Sequence, residues 1–349
     1  MPPGAVGPGD RMRVTVGVLG AGSLFGQGII KALRASTLEV RIVGLDAFPY
    51  AVGLYWADAA HVVPDVLSPE VTEAAYLDRL IEILKEERVE LLFVATDFDV
   101  SRMSRHQGLV ESRSGCKVVV SPPAVVDIAD DKWATYQFLS ARGLPCPPSL
   151  IELSRLDEFI TAHGFPLVVK PRRGARSRGM SVVQTRAQLP AALAAAGPDP
   201  IVQVEIGTPE REYTCGAVVF ERDCFGTIAM RRDLRDGNTF RAYLKPEPEL
   251  EALTRQAALA LAPYGPANFQ LRLGASGPAI FEINARFSGT TVIRTLAGFN
   301  EVEAAARWVL FRERLPLAAS RSGVVLRYWE ELFVPWEAYE RVGATVRTG

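Results

Sequence analysis

Along the first 123 residues, short apolar runs alternate with stretches whose apolar residues recur every three or four positions. "RVTVGVLG" (13–20), "VRIVGLDAF" (40–48), "LLFVATDF" (91–98) and "KVVVSPP" (117–123) have the length and character of buried strands. "AGSLFGQGIIKALRAS" (21–36) is a glycine-rich turn running into a helix, and "AYLDRLIEILKEERVE" (75–90) is helical in its spacing. Strands separated by helices predict a parallel sheet with crossover connections. This unit ends near Pro122-Pro123.

The pattern then changes. In "DIADDKWATYQFLSARGLPCPPS" (127–149), Asp130 or Asp131 caps a helix carrying Trp133, Tyr136, Phe138 and Leu139, and Gly143 ends it. "FPLVVKPRRGARSRGMSVV" (165–183) reads as strand, glycine- and arginine-rich loop, strand. "IVQVEIGTPEREYTCGAVVF" (201–220) and "CFGTIAMRRD" (224–233) add three more strands. Helices are expected at 251–264 and 300–313, strands at 267–273 and 279–286, and a final strand in the aromatic "GVVLRYWEELFVPW" (323–336). Neighbours here can pair antiparallel, so the fold class is α/β followed by α+β.

Composition changes little. Hydrophobic residues make up 48% and charged residues 23% of 349, as in an ordinary globular protein. A net charge of −1 gives no electrostatic case for nucleic acid, and no apolar run is long enough to span a membrane. Residues 1–12, rich in Pro and Gly, are expected to be a flexible tail. Cys116, Cys146, Cys215 and Cys224 form no C-x-x-C unit, which fits a reduced, cytoplasmic protein.

Four stretches carry candidate chemistry. Gly20, Gly22 and Gly26 follow a strand and open a helix, with Asp46 ending the next strand. A phosphate or dinucleotide fits there, and so does tight packing with no ligand; the third glycine is one residue late for G-x-G-x-x-G. Lys170 precedes a loop with Gly174, Gly179 and Arg172, Arg173, Arg176 and Arg178, which is either a phosphate cradle or an exposed basic turn. Glu205 and Glu212 flank a Gly-Thr-Pro turn. In "FEINARFSGTT" (281–291), alternation puts Glu282, Asn284 and Arg286 on one face. A hairpin through "GASG" brings Gln270 beside them. These oxygen donors suit Mg²⁺, and Arg286 suits the charge of a transferred phosphoryl group.

The order Lys132, Lys170, glycine loop, Glu205, Glu212, Gln270, Glu282, Asn284, Arg286 resembles the ATP-grasp superfamily over roughly residues 14–315. The nearest likeness is to the synthetase domains of carbamoyl phosphate synthetase and to small carboxylate–amine ligases. The resemblance implies a Rossmann-like pre-ATP-grasp domain (13–123) and a two-lobed ATP-grasp domain. Its small lobe with the lid loop would be 124–203, and its C-terminal lobe with the metal site and an extension 204–349. It implies that Lys132 and Lys170 meet ATP phosphates and that the loop from Gly174 through Arg178 to Gly179 closes over them. Gln203, Glu205 and Ile206 would belong to the adenine hinge and Glu212 would bind ribose. Gln270, Glu282 and Asn284 would hold Mg²⁺, as two ions that Mn²⁺ can replace. Arg286, with Lys170, would serve phosphoryl transfer.

Arg294 is a candidate for a substrate carboxylate, and an exposed helix arginine fits it equally. Asp97 and Asp99 either face substrate or cap a helix. The expected reaction joins a carboxylate to an amine, an amino acid among them, through an acyl phosphate. A carboxyphosphate- or carbamate-handling enzyme is the first alternative and an NAD(P)-dependent oxidoreductase the second. No nucleic acid or membrane partner is expected, and the resemblance suggests a homodimer.

Overall fold

The computed structural model describes residues 13–174 and 178–344. The tail expected at 1–12 and the centre of the lid loop, including Arg176, lie outside them. The chain divides into two compact units. One comprises Met1–Val119, Val302–Arg314 and Glu331–Gly349; the other comprises Val120–Glu301 and Leu315–Glu330.

The first unit is built on β1 (Val14–Leu19), α1 (Leu24–Arg34), β2 (Val40–Asp46), β3 (Ala59–Val62), α2 (Glu73–Glu86), β4 (Leu91–Val94), α3 (Asp97–Ser114) and β5 (Lys117–Val119). Its sheet is parallel throughout, in the order β3-β2-β1-β4-β5. Val16, Val18, Ile42, Leu45, Leu92 and Phe93 are fully buried in it. Each long helix starts on a hydroxyl cap: Ser23 accepts from the Gly26 N–H, Thr72 from Ala75 and Thr96 from Asp99. Helix α3 escaped the pattern reading because its eighteen residues are mostly polar, with Val100, Met103 and Val110 supplying the buried apolar side chains.

The glycine turn of this unit is filled by protein. A Cβ on Gly26 would lie 2.2 Å from the Gly20 carbonyl oxygen, and one on Gly53 would lie 2.0 Å from that of Ala21. The Gly22 N–H donates to Asp46 Oδ2 at 2.8 Å. Of the two readings of the turn, close packing accounts for these glycines. Asp99 is likewise absorbed by structure, accepting from Tyr76 Oη at 2.9 Å and from the Thr96 hydroxyl.

The second unit starts with α4 (Pro123–Asp130) and α5 (Lys132–Ser140). There follow β6 (Ser149–Leu150), α6 (Leu156–His163), β7 (Leu167–Pro171), β8 (Ser181–Val183), α7 (Leu189–Ala196) and β9 (Pro200–Val204). Their strands form an antiparallel sheet in the order β6-β9-β7-β8. Next come β10 (Glu212–Phe220), β11 (Asp223–Arg235), β12 (Asn238–Leu244), α8 (Pro248–Leu261), β13 (Gly265–Gly274), β14 (Gly277–Asn284) and α9 (Thr291–Leu296). Helix α10 (Glu301–Phe311), β15 (Gly323–Leu326) and α11 (Trp336–Ala344) close the chain. The second sheet runs β14-β13-β10-β11-β12-β15, all antiparallel.

Two expected boundaries move. Helices α4 and α5, assigned to a small lobe at 124–203, pack on the six-stranded sheet: Val125, Phe138 and Leu139 share an apolar cluster with Cys215, Phe269 and Ile283. Their apolar stripes match the inner face of that sheet. The C-terminal segment does not stay with 204–301 either. Residues 302–314 and 331–344 belong to the first unit, where Thr37 Oγ1 donates to Glu303 Oε1 at 2.6 Å and Arg307 Nη2 donates to Thr37 Oγ1 at 2.7 Å.

Candidate functional site

The site begins with strand register. Strands β13 and β14 pair so that Gln270 stands opposite Glu282 and Asn268 opposite Asn284. On its other edge β13 sets Gln270 against Thr214 and Arg272 against Glu212 of β10. Since side chains alternate between faces, one face of the six-stranded sheet is apolar under α4, α5 and α8, and the other carries acids, amides and arginines. That polar face and the four-stranded sheet line a cleft open to solvent. Lys132, Lys170, Gln203, Glu212, Gln270 and Glu282 converge there, joined at the rim by Gly174, Arg178 and Ile206.

Lys170 is the penultimate residue of β7 and is buried. Burial pushes its ammonium down to about 8, against the attraction of Glu282, which acts to raise it. The Lys132 Nζ donates to the Gly174 carbonyl at 2.9 Å, tying the first helical turn of α5 to the start of the lid loop. Two of the loop's arginines are already committed: Arg172 pairs with Asp131 at 2.6 Å and Arg173 at 3.2 Å. Asp131 also caps α5 through the Trp133 and Ala134 N–H groups. Asp131→Ala therefore removes a cap and two ion pairs together. It is expected to lower stability by about 1–2 kcal/mol, measured by urea unfolding.

Glu212 is held on both oxygens. Its Oε1 accepts from Arg232 Nη2 at 2.6 Å and Nε at 3.0 Å, and its Oε2 from Arg272 Nε at 2.9 Å. Arg272 Nη1 reaches Glu205 at 3.2 Å, and Arg232 Nη2 reaches Gln270 Oε1 at 2.8 Å. A continuous chain of charge-assisted bonds thus runs from the 203–206 segment to Gln270. Sequence reasoning missed Arg232 and Arg272. Arg272 was accessible to it, being two residues beyond Gln270 on the same strand face; Arg232 depends on a pairing between β10 and β11 that spacing does not reveal.

The 203–206 segment is anchored by Gln203, whose buried Nε2 donates to Ser149 Oγ at 2.8 Å. The Val204 and Glu205 N–H groups are taken by the Pro148 and Pro166 carbonyls. Asn284 Nδ2 donates to Glu282 Oε1 at 3.1 Å, and Arg286 Nη2 to Asn284 Oδ1 at 3.0 Å, so the three form a connected line at the end of β14. Gly179 packs against α7 and Pro171, where a Cβ would come within 2.7 Å of the Ala195 carbonyl oxygen.

Arg294 stands apart. It is fully buried, with Nη1 donating to Glu301 Oε2 at 2.9 Å and Nη2 to Asn268 Oδ1. Neither the exposed helix arginine nor the substrate-facing one describes it. The reason lies across the sheet: Gly216 has no side chain, and the guanidinium lies against the space this leaves.

Among the described residues, no three of His, Cys, Asp or Glu gather as a metal cluster. The donors at Gln270, Glu282 and Asn284 are instead one carboxylate and two amides. Such a hard, sparsely charged set fits Mg²⁺ that brings water and phosphate ligands of its own. It does not fit zinc.

Comparison with known proteins agrees with this geometry. Residues 209–332 match the family described as ATP-grasp in the biosynthetic pathway with Ter operon, and residues 18–119 match the PylC-like N-terminal domain. D-alanine–D-alanine ligase B of Chromobacterium violaceum is 30% identical over 199 residues, 52% of this chain and 63% of that protein. Formate-dependent phosphoribosylglycinamide formyltransferase of Burkholderia pseudomallei is 30% identical over 177 residues, 49% of this chain and 39% of that protein. The chain thus spans less than two thirds of either relative. An ADP complex of N5-carboxyaminoimidazole ribonucleotide synthetase shares the fold, with a TM-score of 0.68, 16% identity, and coverage of 89% of this chain and 81% of that one. The part of the chain that matches an ATP-grasp family, residues 209–332, thus carries the paired Gln270 and Glu282 that line one cleft with Lys170.

Proposed function

We propose that this chain is an ADP-forming ligase that joins a carboxylate to an amine. The observation that carries the reading is the cleft itself. Two buried lysines from one side and an acid–amide pair in register from the other make a site for a polyphosphate and its divalent ion. The relatives named as a D-alanine–D-alanine ligase and a formate-dependent formyltransferase support the ligase class.

In this reading ATP lies with its base by Gln203–Ile206, its ribose by Glu212 and its phosphates by Lys132 and Lys170. Because both Glu212 oxygens accept from arginines, a ribose hydroxyl shares them rather than taking a free carboxylate. Mg²⁺ held by Gln270, Glu282 and Asn284, as one or two ions, supplies positive charge against the triphosphate. Carboxylates resist amines because oxide is a poor leaving group. A substrate carboxylate oxygen attacks the γ-phosphorus, the bond to the β–γ bridging oxygen breaks, and ADP departs. The amine then adds to the acyl carbon, phosphate leaves and the amine loses a proton. Arg286 meets the charge on the transferring group, and the lid loop keeps water from the acyl phosphate.

The test is ADP release by the purified protein over amino acids paired with small carboxylic acids. Turnover that needs both a carboxylate and an amine supports the reading; ADP release indifferent to every pair overturns it.

Lys170 gives a second check. With its pKa near 8, about half of the ammonium groups are charged at pH 8 and nearly all at pH 6.5. Triphosphate favours the charged form and raises that pKa. Nucleotide binding at pH 8 is therefore expected to take up as much as about half a proton, falling to near zero at pH 6.5. Calorimetry in buffers of different ionisation enthalpy measures this uptake. An identical value for Lys170→Met at pH 8 would show that another group titrates.

A further inference from the structure

We propose that Arg327 docks a second carboxylate of the reactants, the one that is not phosphorylated, as on an amino-acid acceptor. This rests on the ligase reading above and adds a residue that the cleft does not include.

Arg327 directly follows β15. Val325 pairs with Ala242, and Ala242 with Arg232, the partner of Glu212. The Arg327 N–H continues the ladder to the Phe240 carbonyl at 3.1 Å. By alternation Arg327 shares a face with Val325, which is the polar face carrying Glu212, Gln270 and Glu282. Its Nη2 donates to the carbonyl of Gly289, three residues beyond Arg286 and so within about 10 Å of it along the chain. The segment leaving β14 therefore carries Arg286 and, three residues on, meets Arg327.

Its electrostatics set it apart. Arg232, Arg272, Arg294 and Arg172 each meet a carboxylate. Arg327 meets none among the described residues, and its buried Nε has no acceptor there. Burial lowers its pKa, with no neighbouring acid raising it. A desolvated guanidinium facing only a neutral carbonyl is unfavourable unless an anion completes it. A carboxylate matches the planar fork and can displace the Gly289 carbonyl as that segment shifts. Arg286 on this segment and Arg327 against it would then hold the reactants' two anionic groups, Arg286 the acyl phosphate and Arg327 the carboxylate.

The experiment is a thermal-unfolding titration of the full chain saturated with MgADP. The probes are the twenty common amino acids, D-alanine, and the carboxamide of each amino acid that binds. The expected result is stabilisation by at least one amino acid and not by its carboxamide. Arg327→Met should raise the half-saturating amino-acid concentration at least tenfold and Arg327→Lys by less, with that of ADP unchanged within twofold. An unaltered amino-acid response in Arg327→Met, an equally effective carboxamide, or no response to any amino acid overturns the proposal. If MgADP itself fails to stabilise the wild-type protein, the nucleotide reading falls and takes this one with it, a failure seen before any amino acid is added.

Discussion

Glu282→Gln is expected to abolish ADP release, lowering turnover by a factor of about 10³ or more while leaving the unfolding midpoint nearly unchanged. The substitution keeps the shape of the side chain, and Asn284 Nδ2 can still donate to the amide oxygen. What is lost is the one full negative charge among Gln270, Glu282 and Asn284. A thousandfold loss corresponds to about 4 kcal/mol of transition-state stabilisation, within what one metal-borne charge supplies in a closed site. Glu282 is partly exposed to the cleft and, among the described residues, makes no ion pair as close as those of Glu212 or Glu301, so the fold has little stake in its charge. Initial rates across a magnesium titration, beside a thermal melt, check both halves. Full activity in the variant would remove Glu282 from the metal site and, with it, the reason for placing the triphosphate in this cleft.

The largest effect on stability is expected at Arg294. Arg294 and Glu301 are both fully buried and 2.9 Å apart, so Arg294→Met leaves a carboxylate with no cation in the interior. Breaking a buried pair from one side costs about 3–5 kcal/mol. Gly216→Ala attacks the same place by volume: the new Cβ would lie 2.5 Å from Nη1 and 2.6 Å from Cζ of Arg294. Both variants should shift the urea midpoint strongly. Arg294→Met with Glu301→Gln should recover much of the loss, because it removes the stranded charge. Equal destabilisation by the single and double variants would mean that packing, not charge, dominates there.

This network also shows where sequence reading stopped. Arg294 looked like a surface or substrate residue because a short helix with one arginine carries no mark of depth. Its burial depends on Gly216, seventy-eight residues earlier (294 − 216 = 78), and on a partner acid at the start of α10. The hairpin at 265–284 was the opposite case. The "GASG" turn makes the hairpin, with Gly274 opposite Gly277, and a bulge between Gln270 and Leu271 then sets Gln270 opposite Glu282 instead of Phe281. Helix α3 was lost because its polar sequence has little periodicity to read. The arginine loop was misjudged in part: two of its four arginines answer to Asp131, forty-one and forty-two residues upstream.

Taken alone, the chain's residues determined what neighbours in sequence can enforce. The parallel-sheet character of the first unit, the capped helices, the β13–β14 hairpin and the chemical kinds of donor available all follow from alternation, caps and turns, which act over a few residues. Only the tertiary structure decided which arginines are spoken for, which strands lie next to β10, and that 302–314 and 331–344 return to the first unit. Those outcomes are settled by burial. A charge taken from water must find its partner wherever the packed chain brings one, and distance along the sequence places no limit on that choice.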